Sequence, residues 1–378
     1  MYKRQNVSPD LIAKIPTSPA ATVIDQNTGD YLLTISSLPY ADLRFEKTLS
    51  INLGLDYSLF QNKVSGTVEY YEKRSRDLVT FLPTPEEYGV LTMPINGGSM
   101  NNRGLEVSVG FVPIRTKNFT WSLSVNTSKN FSDLINTGTQ QNLTWRTAAS
   151  GLLYKPGYPV SGLWAFDFTG VNPANGYPTI NLTTAPGAPI TTDPTTYMKY
   201  VGKADPDFTG GIGMNLRYKK LFLTSSFYLQ LGGKKFIAPA YSLTNGVPSE
   251  FDNLSRQILD RWTPTNTGSN TPGLPDQSVG NAVLLPDGKT YTNVYEMYNY
   301  STARVVSASS LRCNYVSLSY SLDGRIATLL HCKKISAGLG VSNPFAIVSK
   351  DFNGIDPEVA TGGQPRVRSY SLNLNVSF

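Results

Sequence analysis

The chain has 378 residues, one histidine, two cysteines and a formal net charge of +6. Charged residues make up only 16% of it, against about 25% in ordinary soluble domains. The basic ones fall in scattered pairs (Lys219-Lys220, Lys234-Lys235, Lys333-Lys334) rather than a stripe, which argues against nucleic acid as a partner.

Residues 1–47 are rich in Pro and Ser, with turn chemistry at Asn27-Thr28-Gly29 and at most one short strand near Tyr31 to Ile35. From Thr48 a period of two sets in. Leu49, Ile51, Leu53, Leu55, Tyr57 and Leu59 alternate with Ser50, Asn52, Gly54, Asp56 and Ser58. Successive side chains of a strand point to opposite faces, so one face is apolar and the other small and polar. After the turn Gln61-Asn62, Val64 to Tyr71 repeats the pattern, which predicts a tight hairpin.

The same alternation returns in Leu105–Phe111, Phe119–Val125, Phe208–Tyr218, Leu221–Leu231, Leu311–Leu322 and Ile335–Val341. It ends in Ser369–Phe378, where Tyr370, Leu372, Leu374, Val376 and Phe378 oppose only Ser and Asn. The Leu311 strand changes phase near Asn314-Tyr315, as a bulge would make it.

These segments are about the length that crosses a bilayer when tilted, and no run of about eighteen apolar residues offers a membrane helix instead. The connections alternate strictly: short at 61–62, 113–117, 219–220 and 323–333, long at 81–98, 131–206, 234–309 and 346–366. That separation is expected when short periplasmic turns lie at one end of a barrel and extracellular loops at the other. The strand-like run 161–171 would break the alternation, so it belongs inside a long loop. The fold class is all-β: an antiparallel transmembrane barrel segment of nine spanning strands, 48–378, preceded by an extracellular loop region, 1–47. Nine is odd, and closed bacterial barrels have even strand numbers. Met1–Asp10 lacks the apolar core of a signal peptide. The missing leader fits either a cytoplasmic protein or a chain that has lost its natural start; the odd strand count leads us to expect part of a longer protein.

One helix is predicted in the 234–309 loop, capped by Ser249, with Phe251, Leu254, Ile258 and Trp262 at helical spacing before Pro264. No catalytic residue, metal site or cofactor is expected. One His and two non-framework Cys (Cys313, Cys332) leave no nucleophile–base pair, and His331 beside Cys332 makes no metal site. The carboxylate pairs Glu86-Glu87, Asp205/Asp207 and Asp356/Glu358 lie in loops, and no run has calcium-loop spacing. What remains is binding and passage. Glu69, Glu106 and Arg217 sit among Ser, Thr, Asn and Gln on the predicted inner face, where they can hydrogen-bond a solute or simply wet a channel. The loop aromatics, Trp164 and Trp262 foremost, can stack on a substrate or touch a lid. They can equally pack the loops.

Six segments carry a family resemblance. Asp42-Leu43-Arg44-Phe45-Glu46-Lys47-Thr48 resembles NPDLxWEKT, with Ala41 and Phe45 in the Pro and Trp positions. Asn96-Gly97-Gly98-Ser99-Met100-Asn101-Asn102-Arg103-Gly104-Leu105-Glu106 resembles NxGxMxNKGxE. Pro206 to Gly211 is similar to PxFTGG, Arg261-Trp262-Thr263-Pro264 to RWTP, Ser309-Ser310-Leu311-Arg312 to xFLR with Ser310 for Phe, and Gly354 to Glu358 to GxDPE. In this order they resemble the C-terminal barrel portion of SusC/RagA-type TonB-dependent outer-membrane transporters.

The resemblance implies a plugged barrel of about 22 strands in the cell outer membrane of a Gram-negative bacterium. It implies import of oligosaccharides or peptides, a SusD-type surface lipoprotein as lid, and energy from the TonB complex through an N-terminal part not present here. The bilayer and lipopolysaccharide would surround it, and Tyr370 and Phe378 would serve as the terminal barrel-assembly signal. The competing readings are a passive porin-like barrel and a soluble secreted carbohydrate-binding β-protein. Nine strands leave two unpaired edges with apolar outer faces, so aggregation in water is expected of the isolated chain.

Overall fold

The computed structural model describes residues 43–85, 87, 90, 92–137, 143–182, 189–241, 255–275, 282–322, 324, 331–352, 356–359 and 363–377, with the backbone of two short paired strands, Val23–Ile24 and Tyr31–Leu32. Nine long strands form one sheet: β1 Lys47–Leu59, β2 Val64–Pro83, β3 Thr92–Arg115, β4 Phe119–Asn136, β5 Phe208–Tyr218, β6 Leu221–Leu231, β7 Ser310–Ser321, β8 Lys334–Val348 and β9 Ser369–Ser377. Each pairs antiparallel with its neighbours in sequence, so the sheet is a meander with β1 and β9 at its edges.

The register converts the period-two pattern into two chemically distinct faces. Cross-strand partners share a face. One row joins Ile114, Trp121, Leu216, Leu223, Leu318, Leu339 and Leu372. A row on the other face joins Ser58, Ser65, Gly110, Ser124, Gly213, Ser226, Tyr315, Ser342 and Ser369. Sliding any strand by one residue would put its leucines among the serines, so the pattern itself fixes the register. The phase change in β7 is a bulge: Cys313 pairs with Phe227 and Phe345, while Tyr315 already pairs with Ser226 and Ser342.

The short turns are built from residues that tolerate a left-handed backbone. Phe60, Gln61 and Asn62 have φ of 53°, 56° and 63°, and Lys219 in the two-residue turn Lys219-Lys220 has φ 52°. At the opposite end the strands run on past the expected boundaries. Leu78–Pro83 pairs with Thr92–Gly98, so the 81–98 connection shrinks to residues 84–91. Thr and apolar residues on these arms provided the β propensity; their weaker alternation hid it.

The run 161–171 does lie outside the nine-stranded sheet, as Gly162–Ala165 paired with Lys199–Lys203 and Asp167–Val171 paired with Pro178–Asn181. The predicted helix in the 234–309 loop is described only in its second half, and there it is not an α-helix. Residues 249–254 lie outside the described residues, and Arg256–Asp260 forms a 3-10 turn capped by Ser255. Arg261 is already extended, which ends the turn three residues before Pro264. Two short α-helices are seen instead, α1 Trp145–Ala149 and α2 Val294–Asn299. No helix among the described residues is long and apolar enough to cross a membrane, which says nothing of strands.

The hydrophobic core sits in the loops, away from the sheet. The 137–207 connection supplies Trp145, Leu153, Trp164, Phe166, Tyr197 and Met198, and the 232–309 connection adds Leu285 and Met297 to the same cluster. A second cluster joins Ala240, Tyr241, Ile258, Tyr295 and Tyr298 with Phe168 and Tyr177. The sheet leaves its leucines outside: Leu53 is 66% and Leu372 77% exposed.

Candidate functional site

The polar face of β2–β7 lines a trough of about 550 Å³, walled by Thr67, Glu69, Glu106, Ser108, Asn126 and Thr209 among others. Glu69 and Glu106 are directly paired across β2 and β3. Arg217, on the same face nearer the short turns, donates to Thr120 Oγ1 at 3.1 Å. Gly104 lies below the Tyr71 ring, which a Cβ would meet at 2.6 Å, and the Tyr71 hydroxyl donates to Asn130 Oδ1 at 3.0 Å. This surface offers hydroxyls, amides and two carboxylates to a hydrated solute.

A second concavity of about 660 Å³ opens where the β2–β3 arms meet the 143–160 segment. Its lining is mostly apolar: Leu78, Phe81, Met100, Leu134, Leu152 and Tyr154.

Above the sheet the two long loops lock into one canopy. Phe166 N–H donates to Tyr300 O at 3.0 Å and Thr302 N–H returns to Phe166 O at 2.8 Å. Arg146 on α1 meets Glu296 on α2 at 2.7 Å. Asn299 donates to Tyr241 O and accepts from Ala240 N–H. Burial, reinforced by the Tyr298 and Tyr295 phenols, pushes the Tyr241 hydroxyl above its ordinary value, so it stays a neutral donor to Pro272 O.

The resembling motifs turn out to be fastenings. The Asn96 side chain donates to Arg44 O and Asp77 O and accepts from Arg44 N–H, while Glu46 Oε1 accepts from Val79 N–H at 3.0 Å. The bulge at Arg76–Asp77, where Asp77 has φ 57°, interrupts the β2–β3 ladder between Ser75 and Leu78. Asn96 and Glu46 supply partners for the backbone groups there. Gly211 N–H donates to Asn126 Oδ1. Trp262 lies over Gly176 and Gly273, and its indole N–H reaches Pro173 O at 3.1 Å, tying the two long loops together.

Arg312 is 3% exposed on the polar face of β7. Its guanidinium holds Asp356 at 2.5 Å and Glu358 at 3.0 Å, and Arg366 also meets Glu358 at 3.0 Å. Lys235 Nζ donates to the carbonyls of Pro357 and Val359. Burial raises the Asp356 carboxyl pKa, but the Arg312 hydrogen bonds and charge overcome that and hold it below the ordinary carboxylate range. Arg312 and Asp356 were each legible as motif residues; their pairing, 44 positions apart, was not.

Trp164 and Trp262 are not brought together on one surface. Trp164 is 4% exposed, packed between Tyr158 and Tyr200 with Lys155 Nζ 5.4 Å from its ring centroid; it serves the canopy core. Trp262 is partly buried as a clamp. Tyr370 stands 76% exposed on β9, and Phe378 lies outside the described residues. Asp205 accepts from Ser161, and Asp207 pairs with Lys203; Glu86 lies outside the described residues. Among the described residues no group of three His, Cys, Asp or Glu is placed to hold a metal. His331 sits exposed in a turn with φ 56°.

Gly176 has φ +75°, and a Cβ there would meet the Trp262 ring at 2.3 Å. Gly176→Ala should therefore destabilise the canopy by about 2 kcal/mol or more, from left-handed strain and overpacking together. Faster proteolytic nicking within 172–176 and 262–273, with the sheet intact, is the expected readout. Unchanged nicking would show that the clamp does not hold the two loops.

No family model matches the chain. Curated relatives do. TonB-dependent receptor P3 of Formosa agariphila is 25% identical, over 99% of this chain and 38% of its own length. TonB-dependent receptor SusC of Bacteroides thetaiotaomicron is 28% identical, over 89% of this chain and 32% of its own length. Among solved structures, the RagAB peptide importer in its open-open state superposes with a TM-score of 0.76 at 21% identity, covering 99% of this chain and 38% of that one. The superposition establishes a shared fold, and the sequence matches bear out the SusC/RagA resemblance that the motifs carried. The chain thus spans 38% or less of the length of these relatives. They are receptors and transporters, not enzymes.

Proposed function

We propose that this chain, which resembles SusC/RagA-type TonB-dependent receptors over nearly its whole length, is part of the wall and surface canopy of an outer-membrane importer. The observation that carries the proposal is the division of labour between the faces. A continuous apolar row spans β3–β9 on one side. On the other the strands line a polar trough, and the long loops that join them pack into a separate core. The wall suits a hydrated oligosaccharide or peptide: its hydroxyls and amides satisfy polar groups, and the apolar recess at Leu78, Met100 and Leu134 takes a side chain or sugar face. A SusD-type lipoprotein lid above the canopy and energy from the TonB complex complete the reading. Both are proposed for a longer protein of which this chain forms a portion.

Uptake of labelled oligosaccharides and peptides into cells producing the whole receptor tests this. An importer should lose uptake when the proton-motive force is collapsed. Flux that survives collapse would establish a passive porin instead. Release of the protein by alkaline carbonate would overturn the membrane reading altogether and favour a secreted binding protein.

A further inference from the structure

Among the described residues, the apolar face carries charge in only one place. On β5–β9 the residues sharing that face are uncharged throughout, from Phe208 to Tyr218, Leu221 to Leu231, Leu311 to Tyr320, Ile335 to Ile347 and Tyr370 to Val376. On β1–β4, Lys129 ends the row of Leu53, Tyr70 and Leu105, and the rows beyond it hold Lys47, Arg74, Arg76 and Arg103 against Glu72 and Asp133.

Their depth is informative. Arg103 lies eight residues from Phe111 on the same face, about 27 Å along the strand and roughly 21 Å of height at a tilt of about 40°. An outer-membrane barrel's apolar band is about 25 Å tall. The arginines therefore lie at its upper rim, at the end where the long loops emerge, with Lys129 one row below Arg103.

The cluster is also only partly neutralised. Lys47 meets Asp77 at 3.3 Å, Arg74 meets Glu72 at 2.8 Å and Arg103 meets Asp133 at 3.5 Å. Arg76 and Lys129 pair with no carboxylate among the described residues. Lys129 Nζ is held instead over two rings, 4.9 Å from the Phe131 centroid and 4.7 Å from that of Phe208. Both rings are 41% exposed. An ammonium braced by aromatic rings at a lipid boundary presents its remaining N–H groups outward.

We propose that Arg76, Arg103 and Lys129 form a binding site for the phosphate groups of a phosphorylated glycolipid in the outer leaflet, with Phe131, Phe208 and Leu105 against its acyl chains. The inference rests on the membrane reading above. Guanidinium groups match phosphate bidentately, and Arg103 stands between Arg76 on β2 and the Lys129 ammonium on β4, which adds a point charge at the lower end. A lipid headgroup brings phosphate and hydrocarbon together, and this rim offers a partner to each; a free phosphate would use only the cations.

The protein purified from membranes in mild detergent should bind bisphosphorylated lipid A and be stabilised thermally by it. Dephosphorylated lipid A, and inorganic phosphate at equal phosphate concentration, should bind far more weakly. Changing Arg76, Arg103 and Lys129 together to Gln should weaken lipid A binding roughly 100-fold. Arg103→Lys with Arg76→Lys keeps the charge but loses the bidentate fit, and should weaken binding less than the change to Gln. The same charge loss at the short-turn end, by Arg115→Gln, Lys117→Gln and Lys219→Gln, should leave binding unchanged. Equal binding of dephosphorylated lipid A, or of lipid A by the triple variant, overturns the site. Equal stabilisation by inorganic phosphate makes it a free-anion site and overturns the lipid assignment. Resistance to alkaline carbonate, measured on the same samples, separates these failures from failure of the membrane reading.

Discussion

Arg312→Met should destabilise the folded protein by about 3–5 kcal/mol, the usual result of removing one partner from a buried ion pair. Arg312 and Asp356 side chains are only 4% and 12% exposed, so the methionine would leave the Asp356 and Glu358 carboxylates with little water to turn to. The loss should concentrate in the 349–368 connection, which Arg312 fastens to the sheet, and appear as protease cleavage there and a lower urea midpoint. Adding Asp356→Asn and Glu358→Gln to Arg312→Met should recover most of the loss, because the carboxylates then no longer need a cation. Arg366, 52% exposed, can turn to solvent. If the triple variant is as unstable as the single one, the network is not what Arg312 contributes.

The pH dependence is set by the sign of the Asp356 shift. Its folded pKa is depressed, so its stabilisation is fully present above the ordinary aspartate range. It is lost as the pH falls through the depressed folded value. The variant with neutral partners should lack that acid-sensitive component.

The second large effect lies on the outer face. Leu372→Arg and Leu53→Arg each put a charge among leucines. Leu372 is paired with Leu339, and Leu53 with Tyr70. Such a change should cost about 2–4 kcal/mol if the row lies near the bilayer midplane. Asn373→Arg and Asn52→Arg turn to the polar face and should stay within roughly 0.5 kcal/mol. Urea titration of the whole receptor folded into lipid vesicles gives the comparison, with heat-shifted gel mobility as the fold readout. Equal losses on both faces would refute the assignment of inside and outside.

The wall was legible because its rule is local. Leu53 and Asn52 differ in solvent, and adjacent positions of a strand sample the two solvents in turn, so each segment declares its own faces. Even the bulge at Asn314 showed as a phase error. The canopy was not legible in this way. Its contacts join Phe166 to Tyr300 and Arg146 to Glu296, pairs more than a hundred residues apart, and no period relates them. Whether Trp262 stacks on a ligand or packs the loops stayed open in the sequence, because its partner is a bare glycine backbone at Gly176. The helix expected around Ile258 failed for a related reason: apolar spacing marks which residues are buried, and a 3-10 turn buries Ile258 as well as an α-helix would. Arg312 could be found by motif and by its isolation as a lone charge on β7, but its two carboxylates reach it only through the return of a loop.

The placement of the core in the loops has a consequence for how the molecule is built. The 137–207 and 232–309 connections flank the β5–β6 hairpin, so their union closes a ring of chain around it, and the union waits until β4 to β7 stand side by side. Water drives that union, since the clusters around Phe166 and Tyr295 gain by leaving it, whereas the leucines of the wall need lipid to be at rest. One chain therefore answers to two solvents in sequence. On the membrane reading proposed above, the bilayer would hold the strands while the aqueous surface draws the loops into a staple across four of them. A wall with one polar face is thus kept from splaying by a small globular core it does not itself contain.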